Sequence, residues 1–149
     1  MGFGLPAAIG AALANPGRKV VCFSGDGSLL MNIQELATLA DLQLDVTVVV
    51  LNNGHLGLVR QQQELFYDGN YIASRFESHT DFVKVAEGFG IRGVRLDGKM
   101  DPKGVLEQAL ALSGPVLLDI PIREAENVFP IVPPGAANYE MIGGDEDAG

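Results

Sequence analysis

The sequence predicts an α/β fold, a three-layer α/β/α arrangement around a mostly parallel sheet. Short apolar runs rich in β-branched residues alternate along the chain with segments whose apolar residues recur at helical spacing. The clearest run, Val46 to Leu51, is apolar or β-branched at every position. Such a continuous run is typical of a central parallel strand that is covered on both faces.

The same patterns place each element in order. Helices are predicted over 5–14, 32–42, 81–89 and 101–112, with a further helix beginning near His55 and running towards Phe66. Strands are predicted over 19–23, 46–51, 93–96 and 116–122. Ser24 to Ser28 is predicted to be a turn, and 67–79 a long loop.

The chain of 149 residues has the size of one ordinary domain, which we place at 1–124. Residues 125–149 are predicted to form a carboxyl-terminal tail that packs on the surface and has a disordered end. Because the chain opens directly into apolar, small-residue sequence, we expect further sequence upstream of Met1.

Composition and charge limit which binding partners are expected. A net charge of −9 argues against nucleic acid and anionic membranes as partners. No apolar run reaches the ~18 residues that a membrane span needs. The one cysteine, Cys22, lies in an apolar run and is predicted to be a small buried hydrophobe. A single cysteine cannot form an internal disulfide, and the absence of internal disulfides predicts a cytoplasmic protein.

The first candidate site is Ser24 to Ser28, at the end of a predicted strand. Two glycines flank Asp26 there, and glycine lets the backbone approach a ligand closely. Amide groups freed in such a turn bind phosphate oxygens, whereas Asp26 would bind a metal that bridges to phosphate. Taken alone, the triplet is also compatible with a plain Asp-Gly turn.

A second loop, Asn52 to His55, follows the next strand along the chain. One helix and one strand separate the two loops, so we expect them to be neighbours at the carboxyl edge of the sheet, where such folds bind ligands. Asn53 offers an amide oxygen and the backbone after it offers a carbonyl. With Asp26, these oxygens form half of a Mg²⁺ shell, although Asn-Gly alone is more often a turn.

Gly25-Asp26-Gly27 followed by Asn52-Asn53 resembles the signature motif of thiamine-diphosphate enzymes. The segments 1–11, 31–38 and 56–67 resemble the large (catalytic) subunits of acetolactate synthases. Residues 130–137 resemble the carboxyl-terminal tail of those subunits, particularly in the bacterial forms. The resemblance covers nearly the whole chain and implies the diphosphate-binding domain of the thiamine-diphosphate fold.

The resemblance implies a role for each matching position. Asp26 and Asn53 would bind Mg²⁺ through their side chains, and His55 through its backbone carbonyl. Gly27 and Ser28 would donate hydrogen bonds to the diphosphate, and Met1 would be the apolar prop that bends the cofactor. The implied cofactor contacts are Met1, Gly25, Asp26, Gly27, Ser28, Asn53, His55, Leu56 and Gly57.

The resemblance also predicts what lies elsewhere. The glutamate that activates the aminopyrimidine belongs to a separate amino-terminal domain in this family, so no catalytic residue is expected in this chain, which would be inactive alone. Glu35 and Glu64 are candidates only by residue type. FAD binding, a homodimer or tetramer, and a regulatory small subunit would belong to the full-length enzyme.

The resemblance implies that the segment from Gln61 to Asp81 would be mobile and would close over the substrate, although an ordinary surface loop is an equal alternative. Some members of the family carry a tryptophan near Gln62, and this chain has none. This departure puts the acceptor preference in doubt. Two alternatives to an acetolactate synthase also stay open. One is another carboligase or decarboxylase, such as glyoxylate carboligase, and the other is a non-catalytic phosphate-binding module.

Overall fold

The computed structural model describes residues 1–143, which contain one four-stranded sheet and six α-helices. The helices are α1 (Gly4–Ala14), α2 (Asp26–Leu30), α3 (Glu35–Asp41), α4 (Gly57–Phe66), α5 (Phe82–Gly88) and α6 (Pro102–Ala111). The strands are β1 (Val20–Gly25), β2 (Val46–Asn52), β3 (Arg92–Arg95) and β4 (Val116–Pro121). A short 3-10 helix spans Asn138–Glu140.

All the strand pairs in this sheet are parallel, in the order β1-β2-β4-β3. Successive residues of a strand point to opposite faces, so β4 contributes to two cores. Leu117 packs with residues of α1, α2, α3 and α5 on one face, whereas Val116 and Leu118 pack with α6 on the other. The predicted three-layer α/β/α fold is confirmed.

The largest differences between the predicted and observed element boundaries lie in two places, both near the first candidate loop. The predicted turn from Ser24 to Ser28 is instead the end of β1 followed directly by α2, because Leu29 is buried in the core and holds that segment as a helical turn. The helix predicted from Asn32 begins only at Glu35. Asn32 instead lies in the turn before this helix, where its side-chain amide donates to the carbonyl of Gly2.

Two compact units divide the chain. The first comprises Met1–Gly54 with Glu77–Ile122 and contains the whole sheet, together with all the α-helices except α4. The second comprises His55–Phe76 with the carboxyl-terminal segment from Arg123. The predicted domain bounds, 1–124 and 125–149, stay a prediction. The end predicted to be disordered, residues 144–149, lies outside the described residues.

The second unit is organised around a buried side chain of α4. The amide of Gln61 donates to the carbonyl of Val128 at 2.8 Å and accepts from its N–H at 3.0 Å, which fixes the tail segment to the helix. On the same helix, Arg60 contacts Glu64 at 2.8 Å and Asn127 at 3.2 Å. Within residues 1–143, no helix combines the length and apolarity that crossing a bilayer requires.

Candidate functional site

The two candidate loops follow strands that pair side by side. β1 and β2 are parallel neighbours, and Gly25 at the end of β1 lies opposite Leu51 near the end of β2. Asp26 and Asn53 therefore leave the sheet from adjacent strands at the same edge, as the sequence predicted. We call the carboxyl ends of β1, β2 and β4 the carboxyl edge.

Asp26 joins the two loops through its carboxylate. The side chain is buried, with 3% of its surface exposed. Oδ1 accepts from the N–H of Gly27 and Oδ2 accepts from the N–H of Gly54, both at 2.7 Å. Two backbone donors from different strand ends thus fix the orientation of one carboxylate.

Glycine is required at one position of this arrangement and leaves open space at another. Gly54 has a φ of +69°, in the left-handed region that favours glycine, and this conformation presents its N–H to Asp26. A Cβ added at Gly25 would meet no atom within 4 Å. The backbone at the end of β1 is therefore open to a ligand.

Ser28 and Asn32 hold the start of the chain against this edge. The hydroxyl oxygen of Ser28 accepts from the N–H of Gly2 at 3.0 Å, and the side-chain amide of Asn32 donates to the carbonyl of Gly2. Gly2 adopts a φ of +76°. Met1, the predicted apolar prop, is thus attached to a fixed residue, and its side chain is exposed.

The other predicted contact residues, His55, Leu56 and Gly57, belong to the second unit. His55 forms an antiparallel bridge with Arg75, and the N–H of Leu56 donates to the carbonyl of Ser74 at 2.7 Å. The carbonyl of Leu56 accepts from the N–H of Arg60 as α4 begins at Gly57. The roles predicted for these three residues towards the cofactor remain predictions.

Comparison with known proteins identifies the family. The family described as "Thiamine pyrophosphate enzyme, C-terminal TPP binding domain" matches residues 1–120. The chain belongs to this family. Thiamine diphosphate, the cofactor that the resemblance implies, is therefore confirmed as the ligand class of this domain.

Similar full-length proteins agree with the predicted resemblance. The chain is 54% identical to the large subunit of acetolactate synthase isozyme 1 of Escherichia coli K12, over 96% of this chain and 25% of that protein. It is 48% identical to the isozyme 2 large subunit of the same organism, over 95% and 26%. The chain thus spans about a quarter of the length of these relatives.

A solved structure matches the fold. The thiamine-diphosphate-dependent 4-hydroxybenzoylformate decarboxylase of Rhodococcus jostii RHA1 superposes with a TM-score of 0.75 and 35% sequence identity. The match covers 85% of this chain and 24% of that one. The predicted thiamine-diphosphate fold is confirmed by this neighbour as well as by the sheet topology.

The donor chemistry of this thiamine-diphosphate domain suits Mg²⁺. Mg²⁺ prefers oxygen ligands and commonly takes one or two carboxylates, with phosphate and water completing the shell. Asp26 supplies one oriented carboxylate, and Asn53 lies in the loop that this carboxylate contacts through Gly54. Among residues 1–143, no group of three or more His, Cys, Asp or Glu is placed to hold a metal.

The two glutamates considered by residue type have contacts of their own. Glu35 accepts from the hydroxyl of Thr38 at 3.1 Å, and Glu64 pairs with Arg60 one helical turn away. Cys22 is buried as predicted, and burial raises the pKa of its thiol. These residues therefore contribute to packing and helix surfaces in the described part of the chain.

The sequence prediction missed Asp119, a second buried carboxylate of the first unit. Asp119 lies in β4 with none of its surface exposed, and burial raises the pKa of its carboxyl group. Its Oδ1 accepts from the side-chain amide of Asn52 at 3.0 Å. The available signal was a single carboxylate inside the apolar run from Val116 to Ile120.

Proposed function

We propose that the natural protein carrying this sequence is an acetolactate synthase that depends on Mg²⁺ and thiamine diphosphate. It would decarboxylate pyruvate and transfer the two-carbon unit to a second 2-keto acid, a step of branched-chain amino acid biosynthesis. Membership of the thiamine pyrophosphate family supports the cofactor, and the names of the large-subunit relatives support the reaction.

The observation that carries this proposal is the orientation of Asp26. Its carboxylate is held by backbone N–H groups from the ends of two neighbouring strands, at the edge where such sheets bind ligands. A charged group is costly to bury unless it is hydrogen-bonded or binds a cation. Asp26 meets the first condition in this structure, and a bound Mg²⁺ would meet the second.

The residues of this domain would bind and orient the cofactor. Asp26 and Asn53, both in the first unit, would hold Mg²⁺ through side-chain oxygens. The hydroxyl of Ser28 accepts from Gly2, so its own hydrogen remains available to donate to a phosphate oxygen. When bound, thiamine diphosphate supplies the electron sink for the decarboxylation.

We also propose features of the full-length protein that the described residues do not include. The activating glutamate would lie on an amino-terminal domain, and FAD would bind outside this chain. We propose a cytoplasmic homodimer or tetramer with a regulatory small subunit and without nucleic acid or membrane partners. The net charge of −9 supports the exclusion of anionic partners.

Product analysis tests the reaction. The full-length natural protein, supplied with thiamine diphosphate and Mg²⁺, should convert pyruvate into acetolactate and CO₂. Carboligation of glyoxylate in place of pyruvate would instead indicate a glyoxylate carboligase. Release of an aldehyde without carbon–carbon bond formation would indicate a decarboxylase, a second candidate that the similarity to the 4-hydroxybenzoylformate enzyme supports.

A further inference from the structure

The central strand β4 carries a carboxylate in a position that packing does not explain. Asp119 lies between Val50 of β2 and Arg95 of β3 in the sheet register. Its side chain is fully buried, on the face that includes Leu117 of the larger core. Carboxylates are seldom fully buried without a partner, so the contacts of this side chain indicate what it does.

The side-chain contacts of Asp119 point to the loop that follows β2. Oδ1 accepts from the side-chain amide of Asn52 at 3.0 Å. Among the described residues, Oδ2 accepts no hydrogen bond and lies 3.8 Å from a guanidinium nitrogen of Arg95, whose side chain is half-exposed. The well-formed interaction of the carboxylate is therefore the one with Asn52.

Asn52 is also fixed through its backbone. Its carbonyl accepts from the N–H of Ile122 at 2.9 Å, just beyond the end of β4. One residue is thus tied to β4 by both its side chain and its main chain. Because Asn53 is the next residue, its backbone starts from a fixed point.

The other end of the same turn is held by Asp26, the residue that follows β1. Gly54, the residue after Asn53, donates its N–H to Oδ2 of Asp26. Asn53 therefore lies between one residue held by β4 and one residue held by Asp26. The contacts form a continuous path across three strand ends, from Asp119 through Asn52 and Gly54 to Asp26.

We propose that Asp119 and Asn52 are positioning residues for the metal site, an inference that rests on the proposed function. Asp119 orients Asn52, and Asn52 sets the backbone from which the side chain of Asn53 reaches Mg²⁺. Groups that orient metal ligands from outside the coordination shell typically contribute about 10–100-fold to metal affinity.

The test is the Mg²⁺ dependence of thiamine-diphosphate binding by the full-length natural protein. Asn52→Ala removes the amide that Asp119 binds but keeps the backbone bond to Ile122. We expect the half-saturating Mg²⁺ concentration to rise about 10–100-fold. At saturating Mg²⁺, the amount of bound thiamine diphosphate should return to the wild-type level.

Substitutions of Asp119 test the same contact from the other side. Asp119→Asn retains an oxygen that accepts from Asn52 and should keep Mg²⁺ dependence near the wild-type value. Asp119→Leu removes the acceptor and should resemble Asn52→Ala. Val48→Ala, a fully buried change on the same strand as Asn52, is the matched control. It should lower the thermal unfolding midpoint without changing Mg²⁺ dependence.

The outcomes separate this inference from the function on which it rests. If Asn52→Ala lowers the unfolding midpoint but leaves the half-saturating Mg²⁺ concentration unchanged, its contact is purely structural and the inference is overturned. An Asp119→Asn protein as impaired as Asp119→Leu would also overturn it. If the wild-type protein binds no thiamine diphosphate with Mg²⁺, the proposed function fails first and the inference fails with it.

Discussion

The two edges of the sheet hold carboxylates in opposite ways. We call the amino ends of β1 and β2 the amino edge. There, Lys19, just before β1, forms an ion pair with Asp45, just before β2. The ammonium of Lys19 also donates to the carbonyl of Leu112 at 2.7 Å. The carboxylate at the amino edge is partly exposed and directly paired with an ammonium group. The two carboxylates at the carboxyl edge, Asp26 and Asp119, are buried and accept hydrogen bonds from amide groups, and Asp119 also lies 3.8 Å from a guanidinium nitrogen of Arg95.

We interpret this difference as that between a structural edge and the proposed binding edge. An ion pair that retains access to water contributes little to stability and leaves its carboxylate committed to a cation of the protein. Amide donors orient a carboxylate without adding a positive charge. The same residue type therefore has different chemistry at the two ends of the same strands.

The largest expected effect on cofactor binding is seen when one carboxylate at each edge is replaced by an amide. Asp26→Asn in the full-length natural protein should weaken Mg²⁺-dependent thiamine-diphosphate binding by more than about 100-fold, since it changes a ligand rather than an outer contact. Asp45→Asn makes the same chemical change at the amino edge and should leave binding unaltered. Isothermal titration calorimetry at fixed Mg²⁺ measures both variants. Equal binding by the two proteins would remove the distinction between the edges.

A smaller effect is expected from pH at the carboxyl edge. Burial raises the pKa of Asp119 above that of an unfolded aspartate, so the native state holds this proton more tightly. The stability associated with that proton is present below the unfolded pKa and is lost as pH rises through the folded pKa. Asp119→Asn has no such loss.

As pH is raised from about 4 to about 7, the thermal unfolding midpoint of the wild type should therefore fall relative to that of Asp119→Asn. Thermal scans in matched buffers, without thiamine diphosphate, measure this difference. A gap between the two midpoints that stays constant with pH would show that Asp119 is not the group responsible. A gap that moves the other way would show that the site stabilises the ionised carboxylate.

The smallest effect is expected at the amino edge. Lys19→Met removes the ion pair with Asp45 and the bond to Leu112, and should lower stability by about 0.2–1 kcal/mol, because both charged side chains are partly exposed. A small fall in the unfolding midpoint with unchanged Mg²⁺ dependence is the predicted result. A large change in Mg²⁺ dependence would mean that this edge, too, contributes to the site.

The sequence predicted the carboxyl edge better than it predicted the contacts there. Chain order and the apolar strands were enough to predict that Asp26 and Asn53 lie at neighbouring strand ends. Parallel strands that are joined through a helix end at the same edge of the sheet. The turn after β1 was missed because the burial of Leu29, a tertiary effect, makes that segment a helix. Local pattern carries no information about such packing.

Asp119 shows why long-range positioning escaped prediction. Its contact with Asn52 depends on β4 pairing with β2, an order in the sheet that skips β3. The sequence identifies four strands but does not state which of them are neighbours. The anchoring of Gly2 by Ser28 and Asn32 was missed for a similar reason, since it requires α1 and α2 to be placed in space.

The most direct test of the central claim is a crystal structure of the full-length protein with Mg²⁺ and thiamine diphosphate. We expect one Mg²⁺ with side-chain oxygens of Asp26 and Asn53 at about 2.0–2.1 Å. Asn52 should still contact Asp119 in that structure. A metal coordinated by neither Asp26 nor Asn53 would contradict the account.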